Sequence, residues 1–410
     1  RIQKSEKIIS ILPQTHQRRL EKYKIYLAKF KKCLDVNNSV VHLIIKDVDT
    51  MFENVDHTMT DTSGTNGTGE SFGCNYNNCE IASQKQHKMQ HDVEKVCLVQ
   101  SVLKNIVRDW SDMGATEREQ CYKPVLDEME ELFPPEDQVR VLVPGAGLGR
   151  LAWEIAGRGY MCQGNEFSLF MLFASNFILN RCNEANKYTV HPWVHQYVNN
   201  VTCEHQLLAA RFPDVCPTGN RPNPNFSMTA GDFLRVYTEA DEWSCVATCF
   251  FIDCAPNVIE FIERIYTILQ PGGYWINLGP LLYHYSDMPT ENSIEPPYDI
   301  LLEIIRDIGF DILKEKTGVK TKYAQNPNSM MQHEYDSVFF VCRKPYLRLP
   351  SKRYLLVNCL GNEEVHDVTI FHHYIPVPRL FHKSTNFPTC IRMRGMSWKS
   401  YSANTKQTIY

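Results

Sequence analysis

The sequence has no apolar run approaching the roughly 18 residues that cross a bilayer, which excludes an ordinary spanning helix. It has no basic excess: 43 Lys and Arg face 47 Asp and Glu, so a general nucleic-acid binder is not expected. It has no CxxC pair, although 15 cysteines are scattered along it, and a zinc site is not expected. Cys74 and Cys79 sit in a polar stretch, whereas Cys245, Cys249 and Cys254 surround an apolar one. No metal is expected. Without a secretory signal the thiols read as reduced, which points to the cytoplasm and also the nucleus. The chain opens on Arg1-Ile-Gln-Lys with neither an initiator methionine nor a signal-peptide pattern, as a fragment would. What is there is an ordinary globular composition in 410 residues, enough for an α/β core of roughly 200–250 residues with appendages.

Periodicity divides the chain into four stretches. Residues 1–53 read as a helical hairpin: Leu20, Tyr23, Leu27, Phe30 and Leu34 share one helix face. Asp35–Ser39 supplies a break, and Val41, Ile44, Ile45, Val48, Met51 and Phe52 form a second set. The basic residues Arg18, Arg19, Lys31 and Lys32 read as a solvated face rather than an RNA patch. Residues 54–92, rich in Thr, Ser, Gly, Asn and Gln, read as a flexible polar insertion. A helix is expected over Val93–Trp110, and another over Thr116–Phe133 with an interruption at Pro124.

From Val139 strands alternate with helices, the signature of a mostly parallel sheet. Strands are expected near Val139–Val143, Tyr160–Asn165, Phe226–Ala230, Cys245–Ile252, Gly273–Gly279, Asp311–Lys316 and Ser337–Arg343. Helices fall at Arg150–Gly157, Ser168–Cys182, Val258–Leu269 and Pro297–Ile308, and the last two strands close as a hairpin. Residues 93–345 thus read as one α/β domain, and 346–410 as an extension without periodic pattern.

Chemistry is concentrated at strand ends. Gly145, Gly147 and Gly149 follow a strand directly and precede a helix, where glycine permits unusual dihedrals and close approach of a ligand. By itself this loop also suits a dinucleotide pyrophosphate. Glu166 ends the next strand, placed to accept from both hydroxyls of a ribose. Asp232 and Phe233 end the following one, suited to an adenine amino group and ring edge, and a Gln-Pro-Gly-Gly turn precedes the fifth. The four pieces in this order favour S-adenosylmethionine over a dinucleotide, and with it a Rossmann-like class I methyltransferase of seven strands. Such folds place an acid two residues before the first glycine, and Val143 stands there instead. Arg108 and the Gly145 backbone are then the candidates for the amino-acid end of the cofactor. His191 and His195 have metal-like spacing but read as structural.

Five runs carry a family resemblance: VLVPGAGLGRLAWEIA (Val141–Ala156), CQGNEFSLFMLFASNFILNRC (Cys162–Cys182), NFSMTAGDF (Asn225–Phe233), ATCFFIDCAPNVI (Ala247–Ile259) and LQPGGYWINLGPLLYH (Leu269–His284). In these the sequence resembles the carnosine N-methyltransferases, which move a methyl group from S-adenosylmethionine to an imidazole nitrogen of carnosine, giving anserine. The resemblance implies cofactor contacts at Arg108, Gly145, Glu166, Asp232, Phe233 and Cys249. Asn105 stands where the family carries a glutamine. It implies substrate contacts at Asp253, His284, Tyr335 and Tyr323, with Asp253 and His284 as the catalytic pair. It also implies a small dipeptide partner and a homodimer through the amino-terminal helices. The other readings are a methyltransferase acting on histidine in a protein and a non-catalytic relative that binds the cofactor.

Overall fold

A computed structural model of the chain describes residues 1–46, 48, 52–53, 96–134, 138–219, 225–288, 292–346 and 392–393. The insertion expected over 54–92, with Cys74 and Cys79, lies outside them, as does nearly all of the extension expected over 346–410. The chain begins with helices α1 (Ile2–Ile11), α2 (Gln14–Arg19) and α3 (Glu21–Ile45). The break expected at Asp35–Ser39 is absent, and α3 runs for 25 residues without interruption. The reason is tertiary. Asn37, 4% exposed, donates to His191 O at 2.9 Å and accepts from His191 N at 2.7 Å. A side chain that locally favours a cap therefore finds backbone partners elsewhere in the molecule.

Helix α4 (96–110) leads to α5 (Ala115–Cys121) and α6 (Lys123–Leu132). Pro124 lies in the first turn of α6, where its missing N–H costs nothing, so the expected interruption is a boundary between two helices. Seven strands follow: β1 (Arg140–Pro144), β2 (Met161–Glu166), β3 (Phe226–Ala230), β4 (Trp243–Cys249), β5 (Leu269–Gly279), β6 (Asp311–Thr321) and β7 (Tyr335–Arg343). They form one sheet in the order β3-β2-β1-β4-β5-β7-β6. All neighbours are parallel except β7, which runs antiparallel to both β5 and β6, the hairpin expected from sequence. Between the strands lie α7 (Arg150–Gly157), α8 (Leu169–Arg181), α9 (Cys203–Gln206), α10 (Phe233–Val236), α11 (Val258–Ile268) and α12 (Tyr298–Ile308). A small antiparallel pair, Tyr188–Val190 with Ala210–Phe212, was not expected from sequence.

The central strand shows why the sheet is covered on both faces. Val141 and Val143 belong to one apolar cluster with Ile106, Trp110, Leu151 and Phe177, while Leu142 belongs to another with Val246, Ile262, Ile265 and Trp275. Successive side chains of a strand point to opposite faces, so a continuous apolar run feeds two cores. Val40 and Ile44 of α3 lie in the first of these cores. Each such aliphatic side chain contributes about 1.5–3 kcal/mol on full burial. Strand β4 was expected to continue to Ile252 but stops at Cys249, because Phe250 adopts φ +53° and turns the chain away from the sheet.

Candidate active site

The parallel strands β1 to β5 bring their carboxyl ends to one edge of the sheet. The chain order reverses between β1 and β4, and ligands of open α/β sheets bind at such a reversal. The glycine loop leaves β1 here. Gly145 has φ +65°, and a Cβ on it would stand 2.5 Å from the Phe251 ring. Gly147 has φ +55° and, by contrast, an open approach, with Asp109 Oδ2 the nearest atom at 4.0 Å from where its Cβ would be. Only glycine combines that backbone with that clearance.

Glu166 closes the loop from β2. Its Oε2 accepts from Gly147 N, and its Oε1 from Phe167 N and Ser168 N, each at 2.8 Å. Burial pushes its carboxyl up, and these three N–H groups pull it back. A carboxylate offers about four acceptor positions, so ribose hydroxyls would share them with these backbone donors. We expect Glu166→Ala, which strips the acceptor from all of these donors, to raise the Kd for S-adenosylhomocysteine by about 10–100-fold. Isothermal calorimetry measures this, and an unchanged Kd would remove Glu166 from the cofactor site.

Asp232 follows β3 and caps α10, its Oδ1 accepting from Leu234 N at 2.8 Å, while its side chain keeps 40% exposure. Phe233, the other residue expected at the adenine, follows directly and begins α10. Its side chain is 3% exposed and packs edge-on against Phe251 and Phe261, so it supports the turn after β4. Cys249 is half-buried, and its Sγ donates to Cys121 O. Burial pushes that thiol far up, so it is a neutral group.

Val143 is 2% exposed in the core, so the acid usual at that position has no counterpart there. Arg108, at the end of α4, takes over the region. It is 6% exposed, and its Nη1 donates to Asp109 Oδ1 at 2.9 Å and Tyr122 Oη at 2.6 Å. Its guanidinium carbon lies 4.9 Å from the Tyr122 ring centre and 4.6 Å from that of Tyr323. The opposite edge is different: Nε is buried without a hydrogen-bond partner among the described residues, and Glu117 Oε2 is 4.0 Å away. A buried, orphaned N–H next to an open glycine loop fits an incoming carboxylate, the charge that the amino-acid end of S-adenosylmethionine carries. Helix α4 is fixed beneath the loop by Trp110 Nε1 donating to Leu148 O at 3.2 Å and by Arg150 Nη1 donating to Asp109 O at 2.9 Å. Asn105 is also buried, and its Oδ1 accepts from Tyr323 Oη at 3.2 Å, which joins a candidate cofactor residue to a candidate substrate residue.

The candidate acceptor side is built on the turn after β4. Asp253, in a short 3₁₀ turn (Ile252–Cys254), is 5% exposed. Its Oδ2 accepts from Leu282 N at 2.7 Å, and its main-chain oxygen accepts from His284 N at 2.9 Å. The two candidate catalytic residues are therefore brought together, and the imidazole of His284 is exposed. Burial pushes the Asp253 carboxyl up, while the Leu282 N–H and the His284 charge act in the other direction. Tyr323 and Tyr335 meet at a residue that no sequence motif singles out. The Phe250 ring centre is 5.1 Å from that of Tyr323 and 6.0 Å from that of Tyr335. Asp109, Tyr122 and Glu117 were also missed. Their only signal was a charged pair, Arg108-Asp109, beside an apolar helical stripe. His191 is structural, its Nδ1 lying 2.8 Å from Leu207 O.

A seven-stranded sheet in this order, with a glycine loop on β1 and a carboxylate ending β2, defines a class I S-adenosylmethionine-dependent methyltransferase. A family model for carnosine N-methyltransferase matches residues 83–346, and the chain belongs to this family. It is 48% identical to "Carnosine N-methyltransferase unmet" of Drosophila melanogaster, over 85% of this chain and 76% of that protein. It is 45% identical to the carnosine N-methyltransferase of Mus musculus, over 84% of this chain and 82% of that protein. The Schizosaccharomyces pombe carnosine N-methyltransferase is 42% identical over 63% of this chain and 74% of its own length.

Proposed function

We propose that this enzyme methylates an imidazole nitrogen of carnosine, or of a related histidine-containing dipeptide. The observation that carries the reading is the Asp253–His284 pair, held against each other at the edge of the sheet that also bears the glycine loop. When bound, S-adenosylmethionine supplies a methyl group on a sulfonium, open to attack by a neutral nitrogen. The residues present then have separable tasks. Arg108 offers its Nε edge to the cofactor carboxylate, Glu166 receives the ribose hydroxyls, and Asp232 faces the adenine amino group. Tyr323, Tyr335 and Phe250 form an aromatic wall that suits the flat face of an imidazole.

A neutral imidazole is already a nucleophile, so the site has to orient it rather than ionise it. Methylation at one ring nitrogen requires the proton to sit on the other. Asp253, oriented by the Leu282 N–H, or the imidazole of His284 accepts that N–H, selects the tautomer, and receives the proton once the ring becomes cationic.

Purified chain with labelled S-adenosylmethionine should place label in carnosine and in related histidine dipeptides. Label found only in protein or RNA of a cell extract would overturn the dipeptide reading.

A further inference from the structure

Residues 322–334 join β6 to β7 as a strap that leaves the edge of the sheet. It reaches α4 through Tyr323 Oη and Asn105 Oδ1, and the segment before α9 through Met330 N donating to Asn199 O at 2.8 Å. Its first turn is fixed by a single carboxylate. Glu117 of α5 accepts from Ala324 N at 2.7 Å through Oε2 and from Gln325 N at 3.5 Å through Oε1. Ala324 has φ +42°, a left-handed conformation that an alanine adopts only when something holds it. Glu117 Oε2 also faces Arg108 Nε at 4.0 Å, and its side chain is only 14% exposed. One buried carboxylate thus spans the arginine assigned to the cofactor and the peptide next to Tyr323, whose ring lies against both Arg108 and Phe250.

We propose that Glu117 is a positioning residue: it anchors the first turn of the strap to α5, beside Arg108, and so sets the Tyr323 wall of the acceptor pocket. The proposal rests on the acceptor reading given above, because it assigns Tyr323 to that pocket. A chain whose strap is released should keep its cofactor loop and lose its grip on the acceptor. Arg108 retains Asp109 and Tyr122 as partners when Glu117 is changed.

The test is Glu117→Gln in the full chain, which keeps the shape but removes the charge and presents an amide donor to a backbone donor. Hydrogen exchange of peptides covering 322–334 should accelerate about tenfold. The KM for the histidine dipeptide should rise about tenfold, with kcat and the Kd for S-adenosylhomocysteine each within about threefold of wild type. Glu117→Asp, which keeps the carboxylate on a shorter stem, should shift the same quantities less and serves if the glutamine variant does not fold. Unchanged exchange over 322–334 would overturn the proposal. So would a parallel loss of cofactor and dipeptide affinity, the mark of a merely structural role. If the wild-type chain leaves the dipeptide unmethylated, the acceptor reading fails, while the exchange comparison still decides whether Glu117 holds the strap.

Discussion

Asp253→Asn is expected to lower turnover of a histidine dipeptide by about 10²–10⁴-fold, the usual contribution of a positioned proton acceptor, with cofactor affinity within about threefold. Asparagine can still accept from Leu282 N, so the 281–284 segment stays in place and the loss reports charge rather than folding. His284→Ala is the companion. It keeps the main-chain N–H that bonds to Asp253 O and removes only the ring. If Asp253 receives the proton, the alanine variant loses less than the asparagine variant; the reverse order assigns the proton to His284. The pH profile adds a second reading. Burial raises the Asp253 carboxyl, and below its pKa it is protonated and cannot accept, so wild-type turnover falls toward acid. The acceptor imidazole, with an ordinary pKa of about 6.5, must also be neutral, so the asparagine variant retains a limb near that value. A variant with full turnover would remove Asp253 from the chemistry.

Arg108→Met should have two effects of different origin. Asp109 is 2% exposed and would lose the cation that neutralises it, a loss that typically costs about 3–5 kcal/mol of folding stability. Urea denaturation measures that term. Cofactor binding, measured at low temperature where the variant remains folded, should weaken by about 10–150-fold, the value of a hydrogen bond to a charged group. Arg108→Lys separates the two, because lysine restores a charge but not the planar fork. It should recover stability more than affinity. A methionine variant that binds the cofactor normally would mean that Arg108 only supports the core.

The parts of this molecule that were legible in the sequence are those written in short-range pattern. Val141–Val143 is a continuous apolar run ending in glycines, so β1 and its loop could be placed. Glu166 ends β2 and Asp232 follows β3, so their alignment follows from parallel pairing. What was not legible depends on partners far along the chain. Asn37 looks like a cap until His191, 154 residues away, occupies it. Glu117 looks like a surface acid until Ala324, 207 residues away, donates to it. Phe250 shows no mark of its left-handed backbone, yet that conformation ends β4 and sends the chain into the Asp253 turn. Nor did the sequence show that the Phe233 ring packs against Phe251 and Phe261, residues 18 and 28 positions further along. The missing acid at Val143 was visible, but the Arg108–Asp109–Tyr122 set that occupies the region is assembled from two helices.

The two hydrogen bonds between Asn37 and His191 have a bearing on transplantation as much as on folding. An amide that serves one backbone unit as both donor and acceptor tolerates almost no replacement: aspartate lacks the donor, and leucine lacks both functions. A substitution at position 37 would therefore be felt in the loop that follows Tyr188–Val190, 154 residues away along the chain. A graft of the amino-terminal helices onto a core without that loop would arrive with an unfilled contact.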